Sequence, residues 1–315
     1  MIIDQQTLYN TLMKMTVPVV AGYVAAKAGV VKGDFAKKLS ALILYVCQPF
    51  MLATATFGSE YSNTLFKHGL IALLCGFIAH GLAAAVGFGA TAFFKDNAKG
   101  RIIEHCIVFG NCGFFGFPVL EAAFGDIGLF CGGFFVISFN TILWSYGVFI
   151  IGRANKEMKL KFTKIFLNAG TIPCALGFVL YALRFKLYAP IYDSMTMIGD
   201  VCTPLSLILV GIMLTRVPLK SYITEYSSYY GMAVKLLVLP IVTGVIMKLL
   251  GFSEFFTLLS ALMMALPTAS STAMFAETYE LHPDIAAQTV GVSTLVSVAT
   301  LPPVMLLVQK IINLI

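Results

Sequence analysis

Residues 110–118 read G-N-C-G-F-F-G-F-P and lie inside an apolar run, 102–124, long enough to cross a bilayer. Three glycines and a proline in so short a stretch oppose a continuous helix. Each glycine costs about 1 kcal/mol in a helix interior, and Pro118 removes a donor and crowds the preceding turn. Hydrocarbon cannot satisfy the backbone groups that a break sets free, so a break at that depth must face protein or a wet cavity. A second interruption, A-L-P-T-A-S-S-T-A-M at 265–274, sits in another apolar run. Two broken spans at corresponding places in two halves of a chain point to a transporter's binding site.

Composition fixes the solvent. The 315 residues are 59% hydrophobic and 11% charged, against roughly 25% charged in soluble domains. A polytopic all-α membrane protein follows. At about 20 apolar residues per span the sequence predicts ten spans: 7–28, 39–57, 69–94, 102–124, 127–151, 165–183, 190–214, 227–250, 254–276 and 285–312. The net charge of +6 does not indicate nucleic acid, because the cations lie between spans. The seven cysteines fall inside apolar runs without metal-ligand spacing and read as small buried residues; no metal or cofactor is expected. The N-terminus lacks the basic segment and cleavage site of a signal peptide. Motifs of metalloproteases, serine hydrolases and phosphate-binding loops are missing, so no enzyme is expected.

The loops after the first, third, fifth and seventh spans hold most of the 21 Lys and Arg. The positive-inside rule makes those loops cytoplasmic and puts both termini on the other side of the cell membrane. Five spans per half is an odd number, so the second half (156–315) enters inverted relative to the first (1–155), and the breaks fall in the fourth span of each. The basic stretch 152–164 reads as the hinge between the repeats.

The residues carry a resemblance. Asn111 is followed by Gly116-x-Pro118; Met232 to Leu236 read M-A-V-K-L ahead of Pro240; and A-L-P at 265–267 leads to Phe275-Ala276 and to Y-E-L-H-P-D-I at 279–285. With Val17-Pro18 and Pro49, these positions resemble the auxin efflux carrier family along nearly the whole chain. The resemblance implies a scaffold of spans 1, 2, 6 and 7, a moving domain of spans 3–5 and 8–10, elevator-type motion, dimerisation through the scaffold, and a fold like those of the bile-acid symporters and sodium–proton antiporters. It implies crossed breaks with Asn111, Pro118 and Pro267 at the crossing. Two positions depart from the family. Asn63 stands where plant members pair an acid with the base four residues on, here Lys67. Thr268, Ser270 and Ser271 stand where sodium-coupled relatives place an acid.

The chemistry follows from helix ends. A half-helix that restarts after a break presents unpaired N–H groups and about half a positive charge, which binds anions without a basic side chain. The expected substrate site is therefore Asn111, Cys112, Gly113, Gly116, Pro118, Pro267, Thr268, Ser270 and Ser271, holding the carboxylate of a small organic anion, auxin-like or a dicarboxylate. The plainer alternative is that these groups only cap the exposed backbone. Lys235, deep in its span, either attracts the anion or ties down freed carbonyls. Gln48 and Lys67 read as further support or coupling residues, Glu104 and His105 as interfacial, and Ser293, Thr294 and Ser297 as helix-to-helix glue. The function read is a secondary transporter of organic anions. A sodium-coupled symporter, a channel and a non-transporting sensor are the alternatives.

Overall fold

The computed structural model describes residues 3–57, 61–154, 171–217 and 220–315. Among them every regular element is helical, and one isolated β-bridge is the exception. The helices are α1 (Gln5–Lys27), α2 (Phe35–Ala55), α3 (Asn63–Thr91), α4 (Asn97–Val108), α5 (116–124), α6 (126–154), α7 (Thr171–Ala182), α8 (Ala189–Leu214), α9 (Tyr226–Leu249), α10 (Glu254–Ala265), α11 (Ser270–Thr278) and α12 (Pro283–Ile312). The boundary between α5 and α6 is Gly125, at φ 65° and ψ −155°, a conformation that a Cβ would strain. Asp4 and Asp96 cap α1 and α4, their carboxylates accepting from the N–H groups of Gln6 and Lys99.

By length and apolarity, six helices among the described residues can cross a membrane: Phe35–Ala55, Asn63–Thr91, Gly116–Ala154, Ala189–Leu214, Tyr226–Leu249 and Pro283–Ile312. The expected ten spans exceed that number for local reasons. α1 has 23 residues but carries Gln5, Gln6, Asn10 and Lys14, which lower its hydropathy. The fourth and ninth expected spans are built from short half-helices. The sixth is described only from Thr171, and most of the expected hinge, from 155 on, lies outside the described residues.

Three helices widen into a π turn, at Ile43–Cys47, Leu143–Gly147 and Val234–Val238. The first and third are followed within two residues by Pro49 and Pro240. A proline ring collides with the carbonyl four residues back, and the wider turn relieves that collision.

Small residues set the packing. α1 lies along α8 at Gly22 and Gly211, each of which meets the other helix's main chain. α2 packs on α7 and on α8, where a Cβ at Gly199 would sit 2.9 Å from the Met51 main chain. α3 packs on α6 through Gly69 against Phe134 and Gly76 against Ser138. α5 folds back on α6 over Gly128 and Gly132. α9, α10 and α12 pack together at Gly244, facing Val308 and Ala261. Close approach through small residues is how helices associate in lipid, where burying apolar surface gains nothing. The cysteines Cys47, Cys75, Cys106, Cys112, Cys131 and Cys202 are free and buried among these contacts.

Candidate functional site

Both interrupted spans are broken, and the two breaks are paired. Residues 109–115 separate α4 from α5, and 266–269 separate α10 from α11. The second break follows from Pro267: a residue before proline is pushed out of the helical region, and Leu266 takes φ −64°, ψ 150°. Gly110 and Thr268 form an antiparallel bridge. The Asn111 N–H donates to the Pro267 carbonyl at 2.7 Å, and the Ala269 N–H donates to the Phe109 carbonyl at 2.9 Å. Each break thus satisfies the main chain that the other exposes.

Side chains close the joint. The Thr268 N–H donates to Ser293 Oγ on α12 at 3.1 Å, and the Thr268 hydroxyl donates to the Cys106 carbonyl at 3.2 Å. Asn111 Nδ2 points to Ser270 Oγ at 3.5 Å. His105 Nδ1 and the Thr272 hydroxyl lie 3.0 Å apart. Asn111, Cys112, Gly113, Gly116, Pro267, Thr268 and Ser270 are buried; Pro118 and Ser271 are half-buried.

The two restarting half-helices are unequal. At α5 the Asn111 carbonyl accepts from the N–H groups of Phe115 and Gly116, at 3.2 and 3.0 Å, and Pro118 has none to offer. Pro118 is therefore not the breaking residue. It stands in the first turn of α5, where an N–H would lack an intrahelical partner anyway. At α11 the main-chain N–H groups of Ser270 and Ser271 have no protein partner among the described residues, and neither does the buried Ser271 hydroxyl. Unpartnered main-chain donors stand on both breaks, since the N–H groups of Gly113, Phe114 and Phe117 have no protein partner among the described residues either; the second break adds the Ser271 hydroxyl.

Lys235 joins this site; Lys67 does not. Lys235 sits in the π turn of α9, fully buried, and reaches Gly110: a Cβ there would meet its Nζ at 3.0 Å. Lys67 is exposed near the start of α3. Gln48 is buried on α2, one turn before Met51, whose methyl approaches Gly113. A narrow crevice lies beside the crossing, between Leu12, Met15 and Val19 of α1, Phe115, and Thr294 and Val298 of α12; it has no room for a water-sized molecule, far less for a ligand pocket of roughly 300–1,000 Å³.

Glu104 and His105, expected at the inner end of the fourth span, are both fully buried within the protein. Glu104 pairs with Arg101 and Arg153 and accepts the Tyr146 hydroxyl at 2.6 Å. His80, on α3, is a site neighbour that the sequence reading passed over. It is buried, with Nδ1 2.7 Å from the Gly76 carbonyl and Nε2 unpartnered. An ionisable residue in the middle of an apolar span was the signal available for it.

The chain matches the model of the membrane transport protein family over residues 7–305. It is similar to an uncharacterized transporter of Methanocaldococcus jannaschii, 23% identical over 300 residues, covering 90% of this chain and 94% of that one. It is also similar to an uncharacterized transporter of Methanothermobacter thermautotrophicus, 24% identical over 298 residues, covering 93% of this chain and 96% of that one.

Proposed function

The chain belongs to the membrane transport protein family, that of the auxin efflux carriers, and we propose that it is a secondary active transporter of small organic anions, its substrates carboxylates of the auxin-like or dicarboxylate class. The observation that carries this reading is the paired crossing, which leaves the Ser270 and Ser271 N–H groups and the Ser271 hydroxyl unpartnered beside Asn111. A carboxylate at the start of α11 meets donors already held in place and the positive end of a helix dipole. Asn111 adds an amide from the opposite break. A neutral solute would gain little from this arrangement.

The motion we propose is elevator-type alternating access. The ten expected spans form two inverted repeats, 1–155 and 156–315. The scaffold is α1, α2, α7 and α8, through which two copies pair; α3–α6 and α9–α12 carry the substrate. Support comes from the packing: α1 pairs with α8 and α2 with α7, while the crossing is held by α3, α9 and α12. The narrow crevice lies along α1, where one set meets the other, and it opens when they slide. We further place the protein in the cell membrane with both termini outside.

A thermal-shift screen over monocarboxylates, dicarboxylates and indole acids, with and without sodium and at two pH values, tests the reading, since a bound anion stabilises the native state by mass action. A hit followed by saturable counterflow in proteoliposomes is expected. A protein stabilised by no carboxylate, or one that passes them without saturation, overturns it.

A further inference from the structure

Four half-helix ends meet at the crossing, and they carry two signs. α5 and α11 start there and present N–H groups. α4 and α10 finish there, at Val108 and Ala265, and present carbonyls with roughly half a negative charge each. Carbonyl ends of broken helices are where transporters of this architecture coordinate their coupling cations. This chain already brings a cation to the place. Lys235 is fully buried, and its Nζ has no hydrogen-bond partner. None of the ion-paired carboxylates Asp96, Glu104, Glu225 and Glu277 pairs with Lys235. The titratable groups facing its ammonium are His80 of α3 and Cys112 of the first break, neither of them a carboxylate.

What the ammonium does approach is main chain. Its Nζ is 3.0 Å from the position of a Cβ on Gly110, two residues past the end of α4. The carbonyl of Met263, in the last turn of α10, is 3.3 Å from that same position. Glycine at 110 leaves the ammonium room; a Cβ there would push it aside by a few tenths of an ångström.

We propose that Lys235 is a built-in counterion: its ammonium holds the place at the two carbonyl ends that a monovalent metal cation would otherwise take, and the crossing is complete without one. The assignment rests on the transport reading only in treating the crossing as the working site. It makes the carrier independent of sodium, and it makes loss of the ammonium the creation of a cation site.

The test uses no organic anion. Purified wild-type protein, Lys235→Arg and Lys235→Ala are melted in lithium, sodium, potassium and choline chloride at equal ionic strength. Wild type and Lys235→Arg are expected to melt at one temperature in all four salts. Lys235→Ala is expected to melt lower in choline and to recover in one small cation more than in the others, and also in ethylammonium, which restores the missing group. Selective stabilisation of the wild type by sodium overturns the assignment, and so does a Lys235→Ala protein indifferent to every cation. A variant that can be purified only with a small cation or ethylammonium present supports it. One that folds with none of them refutes it, since no free cation then replaces the ammonium. Either result leaves the carboxylate screen standing or falling on its own.

Discussion

Asn111 is the residue whose side chain and main chain can be separated by mutation. Its main chain holds the crossing: the N–H donates to Pro267 at 2.7 Å, and the carbonyl accepts from Phe115 and Gly116. Replacing Asn111 by Ala leaves those bonds in place. The side chain has one protein partner, Ser270 Oγ, at 3.5 Å, the outer edge of a hydrogen bond. A neutral bond of ordinary geometry contributes about 1 kcal/mol, so a stretched one contributes less, and Asn111→Ala should melt close to wild type. Bound to a carboxylate, the same amide makes a charge-assisted bond of about 1.5–3 kcal/mol, so affinity should fall roughly 10- to 150-fold. Asn111→Asp sets a second carboxylate against the substrate. At about 4 Å and an effective dielectric near 20 the repulsion approaches 4 kcal/mol, enough to abolish binding. Ligand-induced thermal shift and proteoliposome counterflow measure both variants against the best carboxylate of the screen. An Asn111→Ala protein of wild-type affinity and flux would refute the assignment. One whose melting falls as far as its affinity would make Asn111 a cap.

The remaining predictions concern the frame. Gly211→Ala should destabilise by about 1–3 kcal/mol, because a Cβ there lies 2.7 Å from the main-chain N of Tyr23 and closer still to the Val19 carbonyl. Gly81→Ala, with nothing within 4 Å, is the control that should melt no lower than wild type. Glu104→Gln strands Arg101 and Arg153 in a buried site and should cost about 3–5 kcal/mol; a double-mutant cycle with Arg153→Met should show a coupling above about 1 kcal/mol. At the start of α9, burial pushes the Glu225 carboxyl up, but Lys99 at 2.8 Å and the Ser227 hydroxyl outweigh it and hold it below its ordinary value. Its stabilising effect is therefore complete above the unfolded value near 4.3 and lost as pH falls through the lower folded one. The melting difference between wild type and Glu225→Gln should hold from pH 7 to 5 and shrink progressively as pH falls below about 4.3; a difference that grows on acidification would contradict this.

The breaks were legible because their cause is local. Glycines and Pro267 act on the few residues around them, and Leu266 had little choice but to leave the helix. The start of α11 after Ala269 and the turn at Gly125 follow in the same way. Pro118 misled for an equally local reason: proline is harmless in a first turn, so the chain yields at 109–115 and the proline opens the next helix. Long-range pairings were not legible. Arg101 and Glu104 stand three apart, but nothing in the sequence joins them to Arg153, which reads as one more cation of a basic loop. Nothing near Glu104 in the sequence shows that it is buried by a partner 49 residues on. α1 is expected as the first span, yet its polar side chains depress its average hydropathy although Leu8, Leu12, Met15 and Val19 are buried against the bundle. An average over a helix cannot tell a lipid-facing residue from one that faces protein.

The crossing also carries an argument about assembly. The Asn111 N–H and the Phe109 carbonyl find their partners at Pro267 and Ala269, in the other half of the chain. An unpaired backbone group in hydrocarbon costs several kcal/mol, so neither break is tolerable until the other half has arrived. The two breaks are one element made from two distant segments, and what weakens the bond between them acts on both halves together. This explains why Thr268 is anchored a second time, to Ser293 of α12 and to Cys106 of α4.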